Sequence, residues 1–230
     1  MENYPYADLI TLVIPAKDEA RSVAGLIELS KEFAGEIILV DGHSQDGTAE
    51  VAERAGARVI FDNGKGKGDA IRTAIGHIHN EITVFMDADG SHLPSDIPAL
   101  VAPIVIDGAD HVSGSRLIGG SSELHGGFDE CFRLMGTSFI TACINWKFKC
   151  RLSDSQNGFR AIRTRVLRSL NLRESITTIE QEMVIKTLKK GFKLVEVPAH
   201  EYKRKFGASH IRLRRVWFRY GYSLVKYLLF

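Results

Sequence analysis

The stretch from Asp8 to Asp41, DLITLVIPAKDEARSVAGLIELSKEFAGEIILVD, sets a pattern that the first half of the chain repeats. The apolar run DLITLVIP predicts a buried strand, and EARSVAGLIELSKEF carries apolar residues at helical spacing. EIILVD then predicts a second strand. A strand, a helix and a strand in this order predict parallel pairing.

The same alternation continues as far as Arg116. Later segments predict the helix TAEVAERAG, the strand ARVIF, the helix IRTAIGHIHN, the strand ITVFMDAD and the helix SDIPALVAPIVIDG. Beyond Arg116 we expect an amphipathic segment at 129–147, a short strand GFRAIRT, the helix TTIEQEMVIKTLKKG and the strand FKLVEVPAHEY. The chain therefore predicts an α/β fold with a mostly parallel central sheet flanked by helices, and ligands at the C-terminal ends of its strands.

The totals are those of a globular protein with one large domain. The chain has 230 residues, of which 44% are hydrophobic and 25% charged. Its three cysteines form no CxxC pair, so we expect neither a disulfide framework nor a zinc site, and a reducing, cytosolic setting. We see no leader and no apolar run near 20 residues, so we expect no membrane-spanning segment.

Acidic residues end two of the predicted strands. Asp41 closes EIILVD, while Asp87 and Asp89 close ITVFMDAD, so we expect all three at one rim of the sheet. Side chains at i and i+2 of an extended chain point to one side, which aims Asp87 and Asp89 at a common point. Carboxylate oxygens there suit Mg²⁺ or Mn²⁺. The alternative is that these aspartates only form turns and cap helices.

The glycine-rich turn DNGKGKGDA matches neither GxxxxGK[ST] nor GxGxxG. It does place Lys65 and Lys67 at the start of a predicted helix, where anions are favoured. We therefore expect Lys67 near the phosphates of a nucleotide.

Eight motifs occur in the order found in family-two glycosyltransferases. They are VIPAKDEA, VDGHSQDGT, GKGKGDAI, MDADGSHLPSDIP, GSR, DSQNGFRAI, EQEMVIKTLKKGFKLVEVP and RKFGAS. The chain most closely resembles the branch that transfers sugars to dolichyl or polyprenyl phosphate. The resemblance implies a GT-A fold, a nucleoside-diphosphate sugar donor such as GDP-mannose or a UDP-hexose, a divalent metal and inversion at the anomeric carbon.

The resemblance also assigns roles to individual residues. The nucleotide side would comprise Pro15, Lys17, Asp18, Glu19 and Asp41. Asp87 and Asp89 would hold the metal and diphosphate, with Ser91 standing where the branch often carries a glutamine. The acceptor phosphate would be bound by Arg116, Arg133, Arg160 and Arg204. Arg116 and Arg160 would also act in catalysis, with Asp154 as a base or positioning group and Glu182 in support.

A phosphate acceptor simplifies the chemistry. A phosphate monoester has a second pKa of about 6 and is largely a dianion near neutrality, so the enzyme needs no strong base. Two alternatives stay open: a transferase acting on a glycan or soluble hydroxyl, for which a general base is needed, and a non-catalytic nucleotide-binding module at the membrane.

The C-terminal segment, residues 206–230, differs in charge from the transferase domain predicted for residues 1–205. Residues 201–230 hold eight Lys or Arg residues and one acid, whereas the whole chain has a net charge of +2. Arg212, Arg215, Arg219 and Lys226 share a helical face, with aromatic and aliphatic residues elsewhere. We expect this helix to bind the cytosolic face of a membrane. Packing on the domain or a homo-oligomer is the alternative, and no nucleic-acid partner is expected.

Overall fold

The computed structural model describes residues 4–122, 128–204 and 213–229, with the backbone alone at 128–133 and 213–217. The strands are β1 (Ile10–Ala16), β2 (Glu36–Asp41), β3 (Arg58–Phe61), β4 (Ile82–Phe85), β5 (His111–Ser115), β6 (Arg160–Arg163) and β7 (Leu194–Pro198). The α-helices are α1 (Ala20–Ser30), α2 (Thr48–Arg54), α3 (Lys67–Ile75), α4 (Ile97–Val105), α5 (Arg116–Gly119), α6 (Phe128–Phe148), α7 (Thr164–Ser169), α8 (Ile179–Lys189) and α9 (Leu213–Leu229). Short 3-10 helices occupy Ala7–Leu9 and Pro94–Asp96.

The strands form one seven-stranded sheet in the order β3-β2-β1-β4-β6-β5-β7. β1 pairs in parallel with β2 and β4, β2 with β3, and β5 with β7. β6 runs antiparallel to both β4 and β5. The predicted α/β class with a mostly parallel sheet is confirmed.

β1 is apolar throughout because both faces of the sheet are covered. Leu12 and Ile14 belong to a core cluster that includes Val23 of α1. Val13 belongs to a second cluster, with Ile71 of α3. Successive side chains of a strand point to opposite faces, so a strand with helices on both sides reads as one continuous apolar run.

The structure departs from the expectations at α3, β4 and β5. α3 begins at Lys67, inside the glycine-rich turn, rather than after it. β4 ends at Phe85, and Gly90 adopts φ 73° in the turn that follows. Strand alternation therefore does not extend to Asp87 and Asp89. The expectation that these two side chains point to the same side because they alternate along a strand is wrong. β5 was not predicted, because its sequence HVSGS is polar although all five residues are buried.

α6, α8 and α9 pack together beside the sheet. Ile144 of α6, Val184 of α8, and Leu224 and Tyr227 of α9 share one buried cluster. Lys226, predicted to face lipid, instead forms an ion pair of 3.1 Å with Glu174. Arg212 lies outside the described residues, and the side chain of Arg215 is not described.

Among the helices that the structure describes, none combines the length and apolar character needed to cross a bilayer.

The start of α3 lies against the segment before α8. The backbone N–H of Asp69 donates to the carbonyl of Ser175 at 3.1 Å. A Cβ on Gly68 would lie 2.5 Å from the carbonyl oxygen of Glu174 and 2.8 Å from that of Ile176. Gly68, the third glycine of GKGKG, therefore permits close approach of two backbones.

Gly68→Ala is expected to lower the free energy of unfolding by about 1–3 kcal/mol, since the added Cβ meets backbone atoms that have no room to move. Gly25→Ala is the matched control, because a Cβ there has nothing within 4 Å in α1. That change should leave the stability unchanged or raise it by roughly 0.5–1 kcal/mol. Urea titrations of both variants measure the difference, and equal stabilities would contradict the close approach at Gly68.

Candidate active site

The acidic end of β4 is neutralised by a lysine from the glycine-rich turn. Lys67 Nζ lies 2.5 Å from Asp87 Oδ1 and 2.8 Å from Glu180 Oε1. Lys67 comes from the first residue of α3, and Glu180 from the first turn of α8. A Cβ on Gly158 would lie 2.6 Å from Lys67 Nζ and 2.9 Å from Asp87 Oδ2. A side chain at position 158 would therefore displace the ends of Lys67 and Asp87 from their present positions.

The charge states of this pair follow from the contact. Burial alone would lower the pKa of Lys67, but Asp87 and Glu180 raise it above its ordinary value. Burial would likewise raise the pKa of Asp87, and the lysine holds it below its ordinary value. Lys67 is therefore a cation and Asp87 an anion at neutral pH.

Asp89 is neutralised by a different cation. Arg204 Nη2 lies 2.8 Å from Asp89 Oδ2, and Arg204 Nη1 lies 3.3 Å from Glu19 Oε1. The other oxygen of Asp89 accepts the backbone N–H of Ser91 at 3.0 Å. Arg204, from near the end of the described domain, thus joins the loop after β1 to the loop after β4.

Ser91 is buried between its neighbours. Its Oγ lies 3.2 Å from Nδ1 of His92, whose ring packs against Phe159 with centroids 4.9 Å apart. Burial lowers the pKa of His92, although nearby carboxylates oppose the shift. In the described parts of the chain, no group of three or more His, Cys, Asp or Glu residues is arranged to hold a metal. A metal here would therefore rely on two carboxylates and on ligands from the substrate.

Arg116 and Asp154 form a two-pronged ion pair. Arg116 Nε lies 2.6 Å from Asp154 Oδ2, and Nη2 lies 3.1 Å from Oδ1. The remaining nitrogen, Nη1, lies 3.3 Å from Glu201 Oε1. Arg116 follows β5 directly and begins α5, whose N-terminus is capped by Ser115. The strand end therefore places the guanidinium.

The pair sets the charge of Asp154. Burial would raise the pKa of this carboxyl, but the charge and hydrogen bonds of Arg116 hold it below its ordinary value. Glu196 fixes the loop from beneath, by accepting the backbone N–H groups of Ser153 at 2.6 Å and Asp154 at 2.8 Å. A carboxylate held ionised in this way is a weak proton acceptor.

Two further predicted residues lie deeper than expected. Arg160 is fully buried, and its guanidinium donates to the backbone carbonyls of Asn157 and Glu180. Glu182 is also fully buried, accepts the N–H groups of Arg173 and Glu174, and pairs with Lys186 at 2.6 Å. These placements favour structural roles for both. The side chain of Arg133 lies outside those that the structure describes.

The predicted nucleotide side lies at the ends of β1 and β2. Asp41 is buried and accepts both the N–H and the Oγ–H of Ser44, at 3.0 and 2.5 Å. Lys17 Nζ donates to the carbonyl of Gly42 at 2.9 Å, and Asp18, with φ 55°, accepts the N–H of Gln45 at 2.8 Å. Pro15 pairs with Val40 in the sheet. Hydrogen bonds within these loops therefore hold Lys17, Asp18 and Asp41 in place.

Glu180 and Glu201 belong to the site, and the motif analysis missed both. Glu180 lies two residues from Glu182, and residues at i and i+2 of a helix point to different sides. Glu180 therefore faces Lys67, whereas Glu182 faces the segment at 173–174. Their spacing in the helix could have shown that the two glutamates face different sides. It could not have identified Lys67 as the partner of Glu180, because Lys67 is distant in sequence.

Three cations thus each bridge two carboxylates. Lys67 joins Asp87 to Glu180, Arg116 joins Asp154 to Glu201, and Arg204 joins Asp89 to Glu19. The arrangement holds the cations in fixed positions, and among the described side chains that form these pairs there are more carboxylates than cations. An anionic substrate would increase that imbalance unless a further cation accompanied it.

Known proteins resemble this chain in both sequence and fold. The family model described as Glycosyl transferase family 2 matches residues 11–170. Glycosyltransferase AglJ of Haloferax volcanii is 30% identical over 207 residues, which cover 89% of this chain and 67% of that protein. A dolichyl-phosphate hexose transferase of the same organism is 26% identical over 231 residues, covering 100% of this chain and 97% of the relative. A UDP-N-acetylglucosamine–dolichyl-phosphate N-acetylglucosaminyltransferase of Methanococcus voltae is 26% identical, covering 94% and 95%.

Solved structures of glucosyl-3-phosphoglycerate synthase from Mycobacterium tuberculosis have the same fold. The complex with Mg²⁺ and UDP superposes with a TM-score of 0.76 at 20% identity, covering 95% of this chain and 79% of that one. The complex with Mn²⁺, UDP and glucosyl-3-phosphoglycerate gives 0.74 at 22% identity. At such identity the likeness is one of fold, and the predicted GT-A fold is confirmed. Together with the match over residues 11–170 and the identity to AglJ, it shows that this chain belongs to glycosyl transferase family 2.

Proposed function

We propose that this glycosyltransferase moves a hexose, with inversion at the anomeric carbon, from a nucleoside-diphosphate sugar to a polyprenyl or dolichyl phosphate. The observation that carries the proposal is the bidentate hold of Arg116 on Asp154, which keeps the expected base ionised and paired. A hydroxyl acceptor needs a base, whereas a phosphate acceptor is already largely a dianion near neutrality. Two relatives are named for dolichyl-phosphate transfer.

The donor would lie along the ends of β1, β2 and β4. Its nucleoside would contact the loops that hold Pro15, Lys17, Asp18, Glu19 and Asp41. Its diphosphate would lie near Asp87, Asp89 and Lys67, where the start of α3 also favours an anion.

A divalent cation, Mg²⁺ or Mn²⁺, fits this donor set. Asp87 and Asp89 offer carboxylate oxygens, the ligands that hard cations prefer, and the surrounding ion-pair networks carry excess negative charge. Ser91 Oγ, already bonded to His92, is less suited to be the third protein ligand. When bound, the cation would neutralise charge on the departing nucleoside diphosphate.

The acceptor phosphate would be held by Arg116 and Arg204, since guanidinium groups match phosphate oxygens in bidentate fashion. A phosphate oxygen attacks the anomeric carbon and forms the new carbon–oxygen bond, while the bond to the nucleoside diphosphate breaks on the opposite side. No proton has to leave the acceptor. Asp154 then positions Arg116, and Arg160 supports the segment at 157 rather than touching the phosphate.

The C-terminal helix would hold the enzyme on the cytosolic face of a membrane, where a lipid acceptor is found. Residues 206–230 carry no acid, and α9 exposes aromatic and aliphatic side chains. A basic amphipathic helix of this kind suits an anionic interface. A homo-oligomer through this helix remains the alternative.

Donor binding is tested by thermal shift with UDP, GDP, CDP and dTDP, each with and without Mn²⁺. At a concentration about 100-fold above Kd, a ligand adds about 2.7 kcal/mol to stability, which raises Tm by on the order of 5 °C. Asp89→Asn should remove most of the metal-dependent part of that rise. Asp107→Asn, in an exposed turn, is the control and should retain it.

If no nucleotide stabilises the wild type, the donor assignment fails. If UDP or GDP binds without any dependence on metal, and a variant with Asp87 and Asp89 changed to Ala keeps its function, the non-catalytic module is favoured instead.

The acceptor is tested with polyprenyl phosphate dispersed in detergent, and with free polyprenol as its control. We expect glycosylated product from polyprenyl phosphate and none from polyprenol. The kcat/KM for polyprenyl phosphate should rise as pH increases through about 6, because the acceptor then loses its second proton. Asp154→Asn should keep this pH limb and lose less than the roughly 100-fold that loss of a general base costs. A larger loss together with a vanished limb would favour a hydroxyl acceptor.

The ion pair of Arg116 and Asp154 also predicts a pH-dependent stability. The pKa of Asp154 is lowered in the folded state, so its contribution is complete above the unfolded value of about 3.9 and is lost as pH falls through the folded value. Asp154→Asn should cost about 3 kcal/mol at pH 7, because it leaves a buried guanidinium with Glu201 alone.

Urea titrations from neutral pH down to about pH 3 should show this cost shrinking once the pH is below the ordinary aspartate pKa of about 3.9. Asp107→Asn should differ little from the wild type at every pH. A cost that stays constant to the lowest pH would contradict the assignment of the ion pair.

A further inference from the structure

α6 exposes a row of apolar side chains that the described parts of the chain leave uncovered. Met135, Phe139 and Trp146 are exposed, Trp146 to 83%, and they recur at helical spacing on one face. Ser138 and Ala142 are also exposed, at the spacing of the same face. We call Met135, Phe139 and Trp146 the α6 stripe. It contains no charged residue.

α9, which contacts α6, has a similar row. Phe218, Tyr222, Val225 and Leu229 are exposed, Phe218 to 81%, at spacings of four, three and four. The opposite side of each helix is buried in the cluster shared with α8. Each helix therefore packs against the domain on one side and exposes a row of uncharged, mostly apolar side chains on the other.

An exposed apolar surface of this extent marks an interaction site, and the charges around it indicate the partner. No acid occurs between residues 131 and 153, and none follows Glu201. Lys147 and Lys149 are exposed at the end of α6, and Lys189 and Lys190 at the end of α8. The pKa of Lys189 is lowered by burial and by the nearby charges of Lys147 and Lys186, so the two helix ends form one cationic rim.

We propose that the α6 stripe inserts at the interface of an anionic phospholipid bilayer, as a second contact beside α9. Aromatic side chains favour the headgroup region, and lysines at the rim would pair with anionic headgroups. The inference extends the membrane contact proposed for α9 and rests on that part of the proposed function. It makes α6, a helix within the transferase domain, part of the membrane-binding surface.

The inner face of α6 connects this surface to the acceptor side of the site. Thr141 Oγ1 lies 2.8 Å from the Oγ of Ser155, and Asn145 Nδ2 donates to the carbonyl of Leu152 at 2.7 Å. The loop held in this way carries Asp154, the partner of Arg116. A bilayer against the outer face would thus lie one helix away from the loop that positions the acceptor arginine.

The test uses the full chain with Trp217→Phe, which leaves Trp146 as the sole tryptophan because the chain has two. Vesicles of phosphatidylcholine and phosphatidylglycerol, with brominated acyl chains, should quench and blue-shift its emission. Vesicles of phosphatidylcholine alone should do so weakly, and salt should reduce the effect. Unquenched emission under all conditions would overturn the proposal.

Phe139→Glu should weaken vesicle binding at least about tenfold, since burying a phenylalanine stabilises by about 1.5–3 kcal/mol. Ile106→Glu is the matched control, because Ile106 is 72% and Phe139 67% exposed. Ile106 lies directly after α4, away from α6, and the Ile106→Glu variant should bind vesicles as tightly as the parent protein does. Val225→Glu reports on α9: if it alone weakens binding, the α6 stripe does not contact lipid.

Light scattering separates a second copy of the chain from the bilayer. A dimer that Phe139→Glu dissociates, in a protein that vesicles do not bind, would assign the stripe to self-association and overturn the proposal. The vesicles contain neither polyprenyl phosphate nor nucleotide. Transfer in detergent without vesicle binding would therefore leave the proposed reaction standing and remove only this inference.

Discussion

The ion pairs at the end of β4 hold the two halves of the chain together. Lys67 reaches from the glycine-rich turn to Asp87 and Glu180, and Arg204 reaches back to Asp89. Parallel strands that end in acids collect like charges at one rim, and such charges repel unless cations lie between them. Docking of α8 and of residues near 204 on the first half therefore depends on the residues that form the site.

The helices beside the sheet extend this dependence outward. On α9, the hydroxyl of Tyr220 lies 2.7 Å from Oγ1 of Thr177, and Lys226 pairs with Glu174. These partners flank the start of α8, where Glu180 meets Lys67. Contacts of α6 likewise hold the loop of Asp154. The outer sides of both helices are thus connected to the site through short chains of hydrogen bonds.

Sequence patterns locate what is local and miss what is tertiary. β2 was predicted to its ends, because EIILVD is an apolar run closed by an acid. β5 was not, since its buried serines and histidine are polar and its neighbours β6 and β7 come much later in the chain. Asp87 and Asp89 could be placed at the rim from their position after a strand. The burial of Arg160 could not be predicted, because only folding brings the carbonyl of Glu180 to its guanidinium.

The balance of charge explains how an acidic rim accepts an anionic donor. Six carboxylates surround Lys67, Arg116 and Arg204 in the ion-pair networks, and buried Arg160 adds one further positive charge. Within the ion pairs formed by the described residues the carboxylates outnumber the cations, so these side chains by themselves would repel a diphosphate. If a divalent cation were held by Asp87 and Asp89 as proposed, it would reverse the sign of the charge there, and Lys67 and Arg204 would then be able to pair with phosphate oxygens. Asp87 and Asp89, which hold Lys67 and Arg204 in place, would then bind the divalent cation instead and release both side chains.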